Sequence, residues 1–85
     1  MISAVVLVNT DVESQDRVLE SLKLVEGVEE AHALYGVYDF LFKIKATTID
    51  KIKDITRLRI KKIEGVTSSL TLMIIDNPQR ESIED

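Results

Sequence analysis

The chain predicts an α+β fold of the ferredoxin-like kind, β-α-β-β-α-β: a four-stranded antiparallel sheet with two helices on one face. Three observations carry this. Val25-Glu26-Gly27-Val28 recurs as Ile63-Glu64-Gly65-Val66, an offset of 38 in a chain of 85 residues. The same offset carries Ala4, Val6 and Val8 onto Phe42, Ile44 and Ala46, and Val18, Leu22 and Val25 onto Thr56, Ile60 and Ile63. Each half then orders itself as a strand, a helically spaced stripe, a Glu-Gly turn and a second strand. Two such units side by side form the split-βαβ plan.

Residues 3–9 are a short β-branched run, suited to a strand buried on both faces. Asn9, Thr10 and Asp11 end it and offer helix-capping side chains. From about 13 to 25, Val18, Leu22 and Val25 keep helical spacing, and Gly27 ends the helix because glycine accepts positive φ. A second strand covers 28–35. Gly36 stands at the first central position of a two-residue type II′ hairpin, which sets Tyr35 opposite Tyr38. That register pairs Ala33 with Phe40 and Ala31 with Phe42 on one face, and Leu34 with Asp39, His32 with Leu41 and Glu30 with Lys43 on the other. The first face is the better core, so both helices belong there. The third strand reaches about Ala46. Thr47 or Thr48 caps a second helix with a stripe of Ile49, Ile52, Thr56, Ile60 and Ile63, and Leu58 lies nearly opposite. Gly65 closes that helix, and a fourth strand covers 67–75. Internal symmetry puts Ser69, Thr71 and Met73 under the helices, whereas polarity favours Leu70, Leu72 and Ile74. Residues 1–76 form the domain, and 77–85, beginning at Pro78, form a tail.

Helices on one face leave the other bare, here with Val5, Leu7, Leu41 and part of strand four. A bare apolar face is unusual on a monomer, and sheet-to-sheet dimerisation covers it economically. Strands two and four are the expected edges, open to further pairing. A single small core without cysteine is marginal, and assembly is a common support. With no signal peptide and no apolar run of membrane length, the chain reads as cytoplasmic.

The net charge is −4, but it is unevenly spread: residues 9–30 hold seven acidic and two basic side chains, and 43–62 hold eight basic and two acidic. These are two solvated helix faces of opposite sign, or faces that dock between subunits. The acidic balance weighs against direct nucleic-acid binding, although RNA-binding domains share this topology.

Little here resembles catalytic machinery. There is no cysteine, and one histidine, His32, sits mid-strand. No cluster has metal-ligand spacing, and there is no phosphate-binding glycine motif. Asp50 and Asp54, four apart on the basic helix, read as partners for neighbouring lysines. No cofactor is called for. The remaining feature is the asymmetric turn. Gly36 lets a ligand approach backbone closely. Asp39 follows it on the rim of the bare face, either solvated or anchoring a ligand ammonium group, and Ser69 and Thr71 offer hydroxyls to a carboxylate.

Ala4-Val5-Val6-Leu7-Val8-Asn9-Thr10, Val25-Glu26-Gly27-Val28, Leu34-Tyr35-Gly36-Val37-Tyr38-Asp39 and Ile63-Glu64-Gly65-Val66, followed by Ser69-Leu70-Thr71, resemble the effector-binding (RAM) domain of the Lrp/AsnC transcription regulators. The resemblance covers about residues 2–76 and is most specific at Gly36-Val37-Tyr38-Asp39. It implies a sheet-to-sheet dimer that builds a ring, often an octamer or decamer. It also implies a free amino acid bound between dimers near Tyr35, Gly36, Val37, Tyr38 and Asp39, with Ser69 and Thr71. Tyr35 stands where regulators usually have threonine, Ser69 where threonine is common, and Glu13 where a glycine often opens the first helix. Starting directly at strand one, the chain is similar to stand-alone members of the family.

The expectation is a non-enzymatic amino-acid-sensing and assembly module, acting on transcription or amino-acid metabolism through full-length Lrp/AsnC regulators. Two alternatives share the fold. An ACT-like regulatory subunit would place its site at a glycine-bearing turn after strand one, and Asn9–Ser14 has no glycine. A small dimeric α+β barrel enzyme would need a polar or histidine-lined cavity between helices and sheet.

Overall fold

The computed structural model describes residues 1–75. The tail expected over 77–85, with Pro78, lies outside the described residues. Strand β1 (Ile2–Thr10) leads through a 3-10 turn (Val12–Ser14) into helix α1 (Gln15–Lys23) and then β2 (Val28–Ala33). Strand β3 (Phe40–Ala46) leads into α2 (Ile49–Asp54), which continues as a π-helical segment (Ile55–Ile60), and the described chain ends on β4 (Val66–Ile74). The sheet order is β2-β3-β1-β4, every pairing antiparallel, so β2 and β4 are the edges as the repeat predicts.

Register divides the sheet into two faces, because side chains directly opposite one another share a face. Ala31–Phe42–Val6–Thr71 and Ala33–Phe40–Val8–Ser69 form rows under the helices. His32–Leu41–Leu7–Leu70 and Glu30–Lys43–Val5–Leu72 form rows on the open face. Ser69, Thr71 and Met73 are therefore the helix-side set of β4, the choice that symmetry favoured. The core follows from the first set: Ala4, Val6, Val8, Phe42 and Ile44 are fully buried against Val18, Leu22, Ile52 and Ile60. β1 is buried on one face only; its other face is half-covered in the single chain. Each fully buried Val, Leu, Ile or Phe contributes roughly 1.5–3 kcal/mol.

The two Glu-Gly turns close alike. Gly27 has φ +95° and Gly65 φ +103°, values that penalise any Cβ. The Gly27 carbonyl accepts the Lys45 N–H at 2.9 Å, and the Gly65 carbonyl accepts the Asp11 N–H at 2.9 Å. A Cβ on Gly65 would lie 2.6 Å from Ser14 Cβ, and one on Gly27 2.9 Å from the Lys45 carbonyl oxygen.

Three local expectations need correction. The pairing of Ala33 with Phe40 holds, but the two-residue hairpin does not form. β2 ends at Ala33, and residues 34–39 make an open loop closed by the Leu34 N–H on the Asp39 carbonyl at 2.8 Å. The Asp39 N–H donates to the Val8 carbonyl at 3.1 Å, tying the end of the loop to β1, and no backbone hydrogen bond joins Tyr35 to Tyr38 among the described residues. Second, Ile49 is 48% exposed rather than core, whereas Ile55 is buried. Ile52, Thr56 and Ile60 repeat at intervals of four, which overruns an α-helical turn of 3.6 residues. The wider π turn keeps them buried, with the Lys61 N–H on the Thr56 carbonyl at 2.9 Å and the Thr56 hydroxyl on the Ile52 carbonyl at 3.0 Å. Third, the capping set after β1 does not cap. Asn9 and Thr10 belong to the strand, and Asp11 precedes the 3-10 turn without a side-chain hydrogen bond. Thr48 does cap α2, accepting the Lys51 N–H at 3.1 Å.

Candidate functional site

Asp39 sits where β3 leaves its loop, and its hydrogen bonds build the rim of the open face. Its Oδ2 accepts the Thr10 N–H at 2.9 Å, and its own N–H also donates to Asn9 Oδ1 at 3.0 Å. Asn9 Nδ2 in turn donates to Ser68 Oγ at 3.4 Å. One asparagine thus ties the loop after β2 to edge strand β4 across β1. No hydrogen bond is made to Asp39 Oδ1 among the described residues, so half of the carboxylate is uncommitted.

Around it the loop stands away from the body. Tyr35, Gly36 and Val37 are exposed, Tyr38 is half-buried, and a Cβ on Gly36 would meet nothing within 4 Å. The space beside Gly36 is open within one chain, available to whatever docks there.

The strand-four hydroxyls lie elsewhere. Ser69 and Thr71 point to the helix side, two strand spacings from Phe40 and Phe42, or roughly 10 Å. Thr71 opens into a groove of about 370 Å³ lined by Lys53, Thr56, Arg57, Lys61 and Met73. Ser69 lies in an adjoining groove of about 350 Å³ with Lys61, Val66, Thr67 and Ser68. Of the residues singled out from the sequence, Tyr35, Gly36, Val37, Tyr38 and Asp39 form one group and Ser69 and Thr71 a second. A single chain does not bring the two groups together.

From the sequence Asn9 reads as a helix cap, and the cations of the Thr71 groove are not singled out. Both left a signal. Extending the β1–β3 register by one residue sets Asn9 against Asp39, and Lys53, Arg57 and Lys61 stand four apart on one helix face. His32 is on the open face, 3.2 Å from Glu30 Oε1, and not in any space between helices and sheet. Asp54 pairs with Arg57 at 3.1 Å rather than with a lysine, and Asp50 has no ion-pair partner within 4.0 Å among the described residues.

The open face grades from charged to apolar. Toward β2 it carries Glu30, His32 and Lys43, with Lys43 3.9 Å from Glu30. Toward β4 it carries Val5, Leu7, Leu70, Leu72 and Ile74, the last three 42%, 49% and 39% exposed. No helix among the described residues is long and apolar enough to cross a membrane.

Comparison with known proteins places this architecture. The family model described as the Lrp/AsnC ligand binding domain matches residues 3–83. An uncharacterized HTH-type transcriptional regulator of Pyrococcus abyssi is 28% identical over 82 residues, 93% of this chain and 55% of that protein. The chain spans about half the length of the curated relatives it matches. The crystal structure of FFRP-DM1 superposes with a TM-score of 0.84 at 27% identity, covering 88% of this chain and 100% of that one. A Neisseria meningitidis transcriptional regulator solved as an L-Met complex shares the fold, with a TM-score of 0.82 at 15% identity over 91% of this chain and 51% of that one. With the family model matched over nearly the whole chain, this chain is a member of the Lrp/AsnC family and carries its ligand binding domain.

Proposed function

We propose that this domain is a non-enzymatic amino-acid sensor, acting in the cytoplasm, whose pocket is completed where copies of the chain meet. The observation that carries this is the separation of its two candidate groups. Asp39 and the open space beside Gly36 lie at one end of the sheet's rim, and the Ser69 and Thr71 hydroxyls lie on the helix side of an edge strand. A ligand held by both groups at once needs two chains. The apolar half of the open face supplies the means of association, since Val5, Leu7, Leu41, Leu70, Leu72 and Ile74 would be covered by a second sheet. Dimers would then build a larger ring, an octamer or decamer, using the edges and the protruding loop.

In this reading the free oxygen of Asp39 receives the ligand ammonium group, a charge-assisted contact of roughly 1.5–3 kcal/mol. Tyr35, Gly36, Val37 and Tyr38 shape the approach, and Ser69 and Thr71 of a neighbour meet the carboxylate. The regulator bound to L-Met shows that a relative by fold takes an amino acid, which supports the class of ligand. A ligand that bridges copies binds the assembly and not its parts, so it shifts the assembly equilibrium by mass action. Regulation of transcription follows if the module joins rings with full-length Lrp/AsnC regulators and changes their occupancy of DNA, with no direct nucleic-acid contact of its own.

Calorimetry against all twenty amino acids tests the sensing step, with Asp39→Ala and the gentler Asp39→Asn as controls. Saturable heat from at least one amino acid, lost in both variants, is the expected result. Silence across the panel, or undiminished binding by both variants, would leave an assembly scaffold without a sensor.

A further inference from the structure

The internal repeat offers a control that few sites have, because each position in the Thr71 groove has a counterpart 38 residues earlier. Lys53, Arg57 and Lys61 correspond to Gln15, Leu19 and Lys23. Thr56, Thr71 and Met73 correspond to Val18, Ala33 and Tyr35. In the first half Leu19 packs against the core. Its counterpart Arg57 turns outward to Asp54 at 3.1 Å, and the space beside it is the open groove. Lys23 is 3.5 Å from Glu20, whereas the position matching Glu20 is Leu58, and Lys61 has no carboxylate within 4.0 Å among the described residues. Lys53 likewise has none. One paired cation in the first half has become three in the second, with a single carboxylate among them.

Fold stability does not account for this. Like charges four residues apart on a helix face repel and destabilise the helix. The helix dipole favours a cation in the last turn, which explains Lys61 but not Lys53. Nor does it explain why the helix-side position 71 holds a threonine, whose hydroxyl makes no hydrogen bond among the described residues, where the first half has Ala33. Three cations and a free hydroxyl around about 370 Å³ are complementary to a small anion with oxygen acceptors.

We infer that the groove between the second helix and β4 receives an acid group of the ligand, and that the effector of this chain carries two carboxylates, as a dicarboxylic amino acid does. The inference rests on the sensing reading for the amino group, which Asp39 would hold; the anionic end rests on the groove alone. The α-carboxylate and the side-chain carboxylate then share Lys53, Lys61, Ser69 and Thr71, and Arg57 exchanges Asp54 for the ligand. Because the cations are exposed, the preference is sensitive to salt.

Calorimetry of the full chain with glutamate, glutamine, glutarate and methionine separates the claims. Glutamate is expected to bind at least about tenfold tighter than glutamine, which replaces one carboxylate with a neutral amide of similar size. That margin should shrink at about 0.5 M salt and vanish in a Lys53→Gln, Lys61→Gln double variant whose thermal melt is unchanged. Both substituted residues are exposed, so the fold tolerates their loss. Binding of glutarate without binding of any amino acid would uphold the groove and defeat the sensing reading. Binding of glutamine or methionine as tight as glutamate would overturn the inference while sparing the sensing reading, and no binding of any of the four would overturn the inference.

Discussion

The first half of the chain, through Tyr38, and the second half, from Asp39, are built to one plan and put to different use. Their turns agree closely, with Gly27 and Gly65 at φ +95° and +103°. So do their cores: Val18 and Thr56, Leu22 and Ile60, Val6 and Ile44 are buried pair by pair. They part company wherever the repeat meets solvent. The first half keeps a regular α1, and its edge strand β2 is rich in charge, with Glu29 and Glu30 pairing to Lys45 and Lys43 at 3.6 and 3.9 Å. The second half has a π-widened helix, three cations over a groove and an edge strand with Leu70, Leu72 and Ile74 exposed. The lesson is a division of labour. What both halves share specifies the fold, and what only one half has is where a ligand or another copy would act.

Substitutions at matched positions can break or sharpen this comparison, with protein concentration held fixed because association adds to apparent stability. The largest effect belongs to Phe42→Ala, which empties the biggest fully buried side chain and should cost about 3–5 kcal/mol in urea unfolding. A loss under about 1 kcal/mol would mean that the core is not shared between halves as described. Next come Gly65→Ala and Gly27→Ala. Each places a Cβ at positive φ within 3 Å of another atom, and each should cost more than about 1 kcal/mol. Unequal outcomes, one variant harmed and the other not, would show that the two turns are alike in sequence only.

The smallest effects separate the threonines at the matched positions 10 and 48. Thr48 caps α2, so Thr48→Ala should cost about 1 kcal/mol. Thr10 Oγ1 is buried without a hydrogen-bond partner among the described residues, so Thr10→Val should be neutral or stabilise by up to about 1 kcal/mol. Equal losses in the two would place an unseen partner, such as a water molecule, on Thr10.

Much of this architecture is legible in the sequence. The repeat implied the strand order and the edges but left the helix-side face of β4 divided between symmetry and polarity, and the β2–β3 register inferred from a Gly36 hairpin holds at Ala33 and Phe40 although that hairpin does not form. The misses have two physical causes, a partner far along the chain for the loop and a local change of helix type for the second helix. A glycine beside tyrosines suggests a tight hairpin, but Asp39 is held by Val8 and Asn9, 31 and 30 positions away. Ile49 fits a helical stripe, yet the stripe bends at the π turn and leaves it outside. The candidate site residues, Tyr35, Gly36, Val37, Tyr38 and Asp39 with Ser69 and Thr71, were named from the sequence as one set, and the structure divides them into two groups. That they fall on different sides of the sheet required the register, and the cationic groove required knowing which face Thr71 takes.

The central claim is that ligand binding in this domain is coupled to its association. Light scattering on the purified chain, with and without each member of an amino-acid panel, addresses it directly. The account predicts a mass well above the monomer, a further shift with the cognate amino acid, and no such shift in Asp39→Asn. A monomeric mass at every concentration, unmoved by any amino acid, would contradict it.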